Sequence, residues 1–320
     1  MKNRRDIYIW CIGGALLAVL AAADLLWGGG LGLMREEAGA QVLLHLRAPR
    51  AVTALLAGAA LALAGAQMQS VLRNPLADPH IMGVSAGASL GAALATMWGG
   101  PHESFLAGGI TIVIAAFIGA LAASAIILAA SRRFRSAGTL LIFGVMLGFI
   151  VNALVSILQF SSDAESLKMF YSWSAGSFSY TTWPQIVMIA IAAVIGFIPA
   201  WRGRKGLDII LFGDEYASLS GADTGRIRLR AILSCCILTG VVTAFCGPLG
   251  FVGIVAPHIA KGLTGTSVHG RILPLSLLTG AFIGLASDLV SRLSTTPLPV
   301  ASTMALIGIP VILYILLKKS

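Results

Sequence analysis

Residues 206–230 read GLDIILFGDEYASLSGADTGRIRLR, a polar interruption in a chain that is otherwise almost continuously apolar. Basic residues bracket it: Arg202, Arg204 and Lys205 before, Arg226, Arg228 and Arg230 at its end. Between them stand the carboxylates Asp214, Glu215 and Asp223 and two glycines, Gly213 and Gly221, that can end helices. The meaning of the insert depends on what surrounds it.

Hydrophobic residues make up 57% of the 320-residue chain and charged residues 11%, with mean hydropathy +0.90. A soluble domain carries roughly 25% charged residues. The long apolar runs are those of spanning helices, and the length allows about ten of them at about 20 residues each. The expectation is an all-α, polytopic membrane protein of one domain, residues 1–320, with no room for a soluble domain of ordinary size. The net charge of +9 does not point to nucleic acid, because the basic residues fall in short loops between apolar spans, where topology signals are expected. Cys11, Cys235, Cys236 and Cys246 lie within apolar spans. They show neither metal spacing nor a disulfide framework, and read as small apolar residues.

The first apolar stretch runs to about Trp27 behind Lys2, Arg4 and Arg5. It also resembles a cleavable signal peptide, but a retained first helix is simpler because many spans follow. Residues 28–49 are predicted as an outer, Gly-rich then polar loop closed by Arg47-Ala-Pro-Arg50. Span two, 50–72, places Gly58, Ala62, Ala66 and Ser70 on one face, the pattern of close helix packing in lipid. Its Gln67 and Gln69 must find partners or line a polar path. Arg73 to His80, RNPLADPH, breaks the chain sharply. Further spans are predicted at 81–98, with Gly83, Gly87, Gly91 and Ala95 on one face, and at 106–130, 138–160, 184–201, 229–247, 271–290 and 299–317. Gly247 to Gly262 reads as a broken re-entry or short span. Asn152 and Gln159 interrupt the span at 138–160, and a polar outer segment with Trp173 and Trp183 follows it. With this topology 17 of the 22 basic residues lie inside; the five outside are Arg35, Arg47, Arg50, Lys168 and Arg292. Both termini and the 206–230 insert are therefore expected in the cytoplasm.

The chain has no Gly-x4-Gly-Lys-Ser/Thr loop for ATP. His45, His80, His102, His258 and His269 are scattered singly, and no His-Glu-x-x-His or Cys/His cluster is present. No enzyme activity, metal site or cofactor is predicted. Asp288 is the one strong candidate for an ionisable group within the membrane, with Arg292 one turn on, and Asp24 sits near a span end. That scarcity disfavours an ion-coupled secondary transporter, and favours transport driven from outside the chain.

Several long motifs, in order, resemble the FecCD family, the permease subunits of type II ABC importers for iron–siderophores, haem and cobalamin. They are LRAPR before span two, GAQMQSVLRNPLADPHIMGVSAGASLGA from Gly65, GPLGFVGIVAPHIAKGLTG from Gly247, SDLVSR at 287–292 and the closing PLPVASTMALIGIPVILYILLKK. The resemblance implies an ABC type II importer permease fold in the bacterial cytoplasmic (inner) membrane, working as a homodimer. It also implies two cytoplasmic ABC ATPase subunits as partners. A periplasmic or lipoprotein substrate-binding protein would deliver an iron chelate or, alternatively, cobalamin. It makes 206–228 the segment that couples to the ATPase through Gly213, Asp214, Glu215, Tyr216, Ala217, Leu219 and Gly221. Gly213 to Ser220 would form a first short helix, and Asp223 would cap a second; the other reading is an amphipathic linker on the membrane surface. Binding-protein docking maps to Arg47, Arg50 and Arg292. The cytoplasmic gate maps to Asn74 and Leu76 and to Ala137 and Gly138, where relatives can carry hydroxyl residues, implying a looser or more apolar gate here.

Overall fold

The computed structural model describes residues 2–26, 37–98, 105–134, 136–294 and 296–319. The Gly-rich stretch at 28–36 with Arg35, and His102 and Arg135, lie outside the described residues. The helices in chain order are α1 (Lys2–Leu26), α2 (Glu37–Val42), α3 (Ala48–Val71), α4 (Val84–Met97), α5 (Phe105–Arg133), α6 (Ala137–Phe160), α7 (Ala164–Ser174), α8 (Trp183–Ile210), α9 (Asp214–Leu219), α10 (Thr224–Cys246), α11 (Val252–Thr264), α12 (His269–Ser291) and α13 (Val300–Lys319). No strand occurs among the described residues. Seven segments are long and apolar enough to cross a membrane, and Val84–Met97 and Val300–Tyr314 are shorter apolar helices. With the 13-residue α11, these occupy the ten predicted positions.

Two boundaries differ from the sequence-based expectation. Arg47 and Arg50 do not close a loop, because Glu37 to Val71 is helical, with a π-helical turn at Leu43–Arg47. Pro49 has no N–H, and its ring would crowd the carbonyl of His45; the wider turn gives it room, and the Ala48 N–H bonds Leu43. The helix predicted to stop at 201 continues to Ile210 around Pro199, so Arg202 to Lys205 and the apolar Leu207 and Ile210 are its last turns. α10 starts at Thr224 and runs unbroken through the apolar span, with Asp223 capping it as the resemblance implied, by accepting from the Arg226 N–H at 3.0 Å. The outer polar segment contains α7, capped by Asp163. The Ser166 hydroxyl, followed by its N–H, holds that carboxyl below the usual carboxylate range.

α3 is the centre of the bundle. It packs on α12, α10, α11 and α8, while α1, α5, α6 and α8 expose most of their surface. Small residues set how near the neighbours come. A Cβ on Gly58 would overlap the Gly280 carbonyl of α12, and one on Gly65 would overlap Gly253 of α11. α4 and α5 meet the same way at Gly87, Gly91 and Gly119. Without a hydrophobic drive between helices in lipid, such close backbone contact supplies the association. Both glutamines of α3 reach neighbouring helices. Gln67 donates to Ser234 Oγ at 2.9 Å, and Ser234 donates to Gly196 O at 2.6 Å. Gln69 donates to Gly253 O and Ile254 O and accepts from Lys261. Asn152, by contrast, is exposed on α6.

Gly58→Val should therefore push α12 off α3 and cost about 1–3 kcal/mol or more. Gly14→Ala, where nothing lies within 4 Å, should be nearly neutral. Thermal melting of both variants in detergent checks the contrast.

Candidate functional site

The predicted site residues gather at opposite ends of α3. At its N-terminal end, Arg47, Arg50 and Arg292 line a cavity of about 410 Å³, together with Val42, Leu46, Ser179, Ser294 and Pro297. Two buried carboxylates hold the arginines. Arg50 Nε donates to Asp288 Oδ1 at 2.7 Å, and its Nη2 donates to Ser291 Oγ at 2.8 Å. Arg292 pairs with Asp24 and, at 2.9 Å, with Asp288 Oδ2. Arg47 donates to Leu25 O at 3.0 Å. Asp24 and Asp288 are 1% and 0% exposed, so each needs a cation in place. Asp288 is thus the shared counter-ion of two arginines from different helices, not a lone carboxylate. Arg47 pairs with no carboxylate among the described residues and carries positive charge at the mouth of the cavity.

The other end of α3 runs into the turn that carries Asn74 and Leu76. Asn74 Oδ1 accepts the Leu76 N–H at 2.9 Å, and Arg73 reverses the chain with φ +49°. Leu76 is exposed. Asp78 then clasps two segments, accepting from the His80 N–H at 2.9 Å and the Phe251 N–H at 3.2 Å. α6 meets this loop at Gly144, against Met82, two turns along from Ala137 and Gly138. Ala137 is buried and Gly138 exposed.

α9 stands beside this turn, set off by two glycines whose backbone disfavours any side chain: Gly213 at φ +107° and Gly221 at φ +78°. The short helix has two faces. Ala217 is buried, and Asp214 points inward, pairing with Arg73 Nη2 at 3.0 Å and Arg228 Nη2 at 2.6 Å. Glu215, Tyr216 and Leu219 face outward. Leu219 is 88% exposed, and Tyr216 packs on the exposed ring of Phe212 at 5.4 Å. Exposed apolar side chains beside a carboxylate make a contact surface for another protein. A linker lying on a membrane would not need Asp214 tied to the turn at Arg73.

Sequence reasoning missed Arg73 and Arg228 as partners of Asp214. The only signal was the basic flank itself, which does not say which cation turns inward. It anticipated the Asp288–Arg292 pair one turn apart, but missed Asp288 as the acceptor of Arg50 and Asp24 as the second partner of Arg292. Asp288→Ala would leave the mostly buried Arg50 without a carboxylate and Arg292 with Asp24 alone, and should cost about 3–5 kcal/mol. Replacing Asp288 and Arg50 together by apolar residues, which leaves Arg292 paired with Asp24, should recover most of that loss, as chemical denaturation in micelles would show.

A model of the FecCD transport family matches residues 7–318. The whole chain is 34% identical to the vitamin B12 import system permease protein BtuC of Salmonella paratyphi A, and the match covers 98% of that protein. It is 32% identical to the hemin transport system permease protein HmuU of Yersinia pestis, over 98% of this chain and 93% of the relative. An ABC transporter permease protein of Bacillus subtilis, YvrB, is 34% identical over 92% of this chain and 83% of its own length. Among solved structures, a metal-chelate type ABC transporter in an inward-facing conformation superposes with a TM-score of 0.88 at 29% identity, covering 98% of this chain and 99% of that one.

Proposed function

The chain belongs to the FecCD transport family, and from that membership we propose that it is the importing permease for an iron chelate, a siderophore complex or haem. It is a membrane-spanning permease of an ABC transporter. Two cytoplasmic ATPase subunits drive it through α9, and a periplasmic or lipoprotein binding protein delivers cargo at the arginine end. Both termini lie in the cytoplasm of a bacterial inner membrane, in line with the 17 basic residues on that side. A second copy of the chain completes the pathway. Cobalamin is the second reading of the cargo, supported by the full-length similarity to BtuC.

The observation that carries the ATPase reading is the two-faced α9. It presents Tyr216 and Leu219 outward while Asp214 holds the turn at Arg73. The gate reading places Asn74 and Leu76 where a shift of α9 would reach them first, with Ala137 and Gly138 at the start of α6. The docking reading rests on the guanidinium of Arg47, which has no carboxylate partner among the described residues, suits acidic residues on a partner and would steer its approach.

Purified alone, the chain should hydrolyse no ATP, and robust intrinsic hydrolysis would remove the proposal. In the complete transporter, Glu215→Arg or Tyr216→Ala should weaken ATPase assembly, read by co-purification. Arg47→Glu should slow capture of the loaded binding protein by at least about tenfold at low salt and flatten its salt dependence. Stopped-flow binding checks both effects, and an unchanged rate would reassign that arginine.

A further inference from the structure

Three side chains from three helices form a hydrogen-bonded chain where α3, α8 and α12 meet near α9. Ser70 Oγ lies 2.6 Å from His269 Nε2. His269 Nδ1 lies 2.6 Å from Asp208 Oδ1, and the same oxygen accepts the His269 backbone N–H at 2.7 Å. Ser70 and His269 are each 1% exposed, while Asp208 is half-buried. A carboxylate accepting from Nδ1 orients the ring, so that Nε2 faces the Ser70 hydroxyl. The order Ser–His–Asp is that of a hydrolase, but here the hydroxyl is enclosed and reaches no substrate. Its other contact is Ala66 O, one turn back on α3.

The position of the ends gives the chain its meaning. Asp208 sits on the last turn of α8, just before Gly213 and α9. Ser70 sits on the last turn of α3, just before Arg73 and the Asn74–Leu76 turn. The only other side-chain tie described between these two places is Arg73–Asp214, whose partners are 38% and 31% exposed. Exposed pairs of that kind hold weakly. The buried, charge-assisted chain holds more firmly.

We propose that Asp208, His269 and Ser70 are positioning residues for transport: they form the link through which a displacement of the α8–α9 corner reaches α3 and then the turn at Asn74–Leu76. The proposal rests on the reading of α9 as the ATPase contact. None of the three touches ATP or cargo. Loss of the link should therefore leave hydrolysis running while the turn stops responding, a split that plain destabilisation does not produce.

The test uses the intact transporter, purified with its ATPase subunits, in lipid vesicles. A Cys11→Ser background removes the exposed cysteine and keeps the buried ones. Leu76→Cys then reports the turn through its labelling rate with a membrane-impermeant maleimide, with and without vanadate-trapped nucleotide. The parent should show a nucleotide-dependent change in that rate. Ser70→Ala should reduce the change by about fivefold or more, with ATP hydrolysis close to the parent's. Ser70→Thr, which keeps a hydroxyl, should restore it. If Ser70→Ala does not fold, Asp208→Asn decides in the same way, because it keeps an oxygen to cap α12 but removes the charge on the ring. A full response in the alanine variant, or a response and hydrolysis that fall in proportion, would overturn the proposal. A parent that shows no nucleotide response would remove both the link and the ATPase reading of α9.

Discussion

α3 has almost no free surface, and the rest of the molecule follows from that constraint. Gly58 and Gly65 bring its backbone against α12 and α11, leaving no space for water along much of its length. Most of the polar side chains it carries therefore bond to its own backbone or to neighbouring segments. Thr53 bonds Pro49 O and Thr181, Gln67 bonds Ser234, Gln69 bonds α11 and Lys261, and Ser70 bonds His269. These contacts make α3 one body with parts of α10, α11 and α12. The two candidate sites stand at its two ends, so a rigid α3 relates them mechanically.

The two ends use charge differently. At the arginine end, Asp24 and Asp288 are sealed, and their cost is offset only by the guanidinium groups that close on them. The result is a fixed array with a small positive excess facing a cavity. At the α9 end the charges are half-exposed, and Asp214 is shared between Arg73 and Arg228. That arrangement suits a joint under load from a partner better than a permanent staple. The buried Asp208–His269–Ser70 chain lies behind it and needs no exchange with solvent.

Much of this was legible in the sequence, and the physics says which part. Ten apolar stretches are read directly, because each span must exclude charge over the thickness of the hydrocarbon. α9 was placed by the family resemblance, and its bounds follow Gly213, Gly221 and Asp223, which act on their own backbone within a few residues. Helix ends beyond the membrane were not. Hydropathy falls at 201 because Arg202 to Lys205 meet water, yet the helix runs on to Ile210 since Leu207 and Ile210 are buried. The arginines at 47 and 50 looked like loop residues for the same reason. Nothing local marks Asp288, 238 residues from Arg50, as its partner. The same holds for His269, which reads as one of several isolated histidines until the fold sets it between Asp208 and Ser70.

The central claim is that α9 and the turn after α3 move as one body. Pulsed electron resonance between spin labels at Ser218 on α9 and Leu76 in the turn tests it most directly, in the complete transporter with and without trapped nucleotide. A third label at Leu16, exposed on α1, supplies the reference. The Ser218–Leu76 distance should stay fixed while the Leu76–Leu16 distance shifts. A Ser218–Leu76 distance that changes as much as the distance to α1 would contradict the claim.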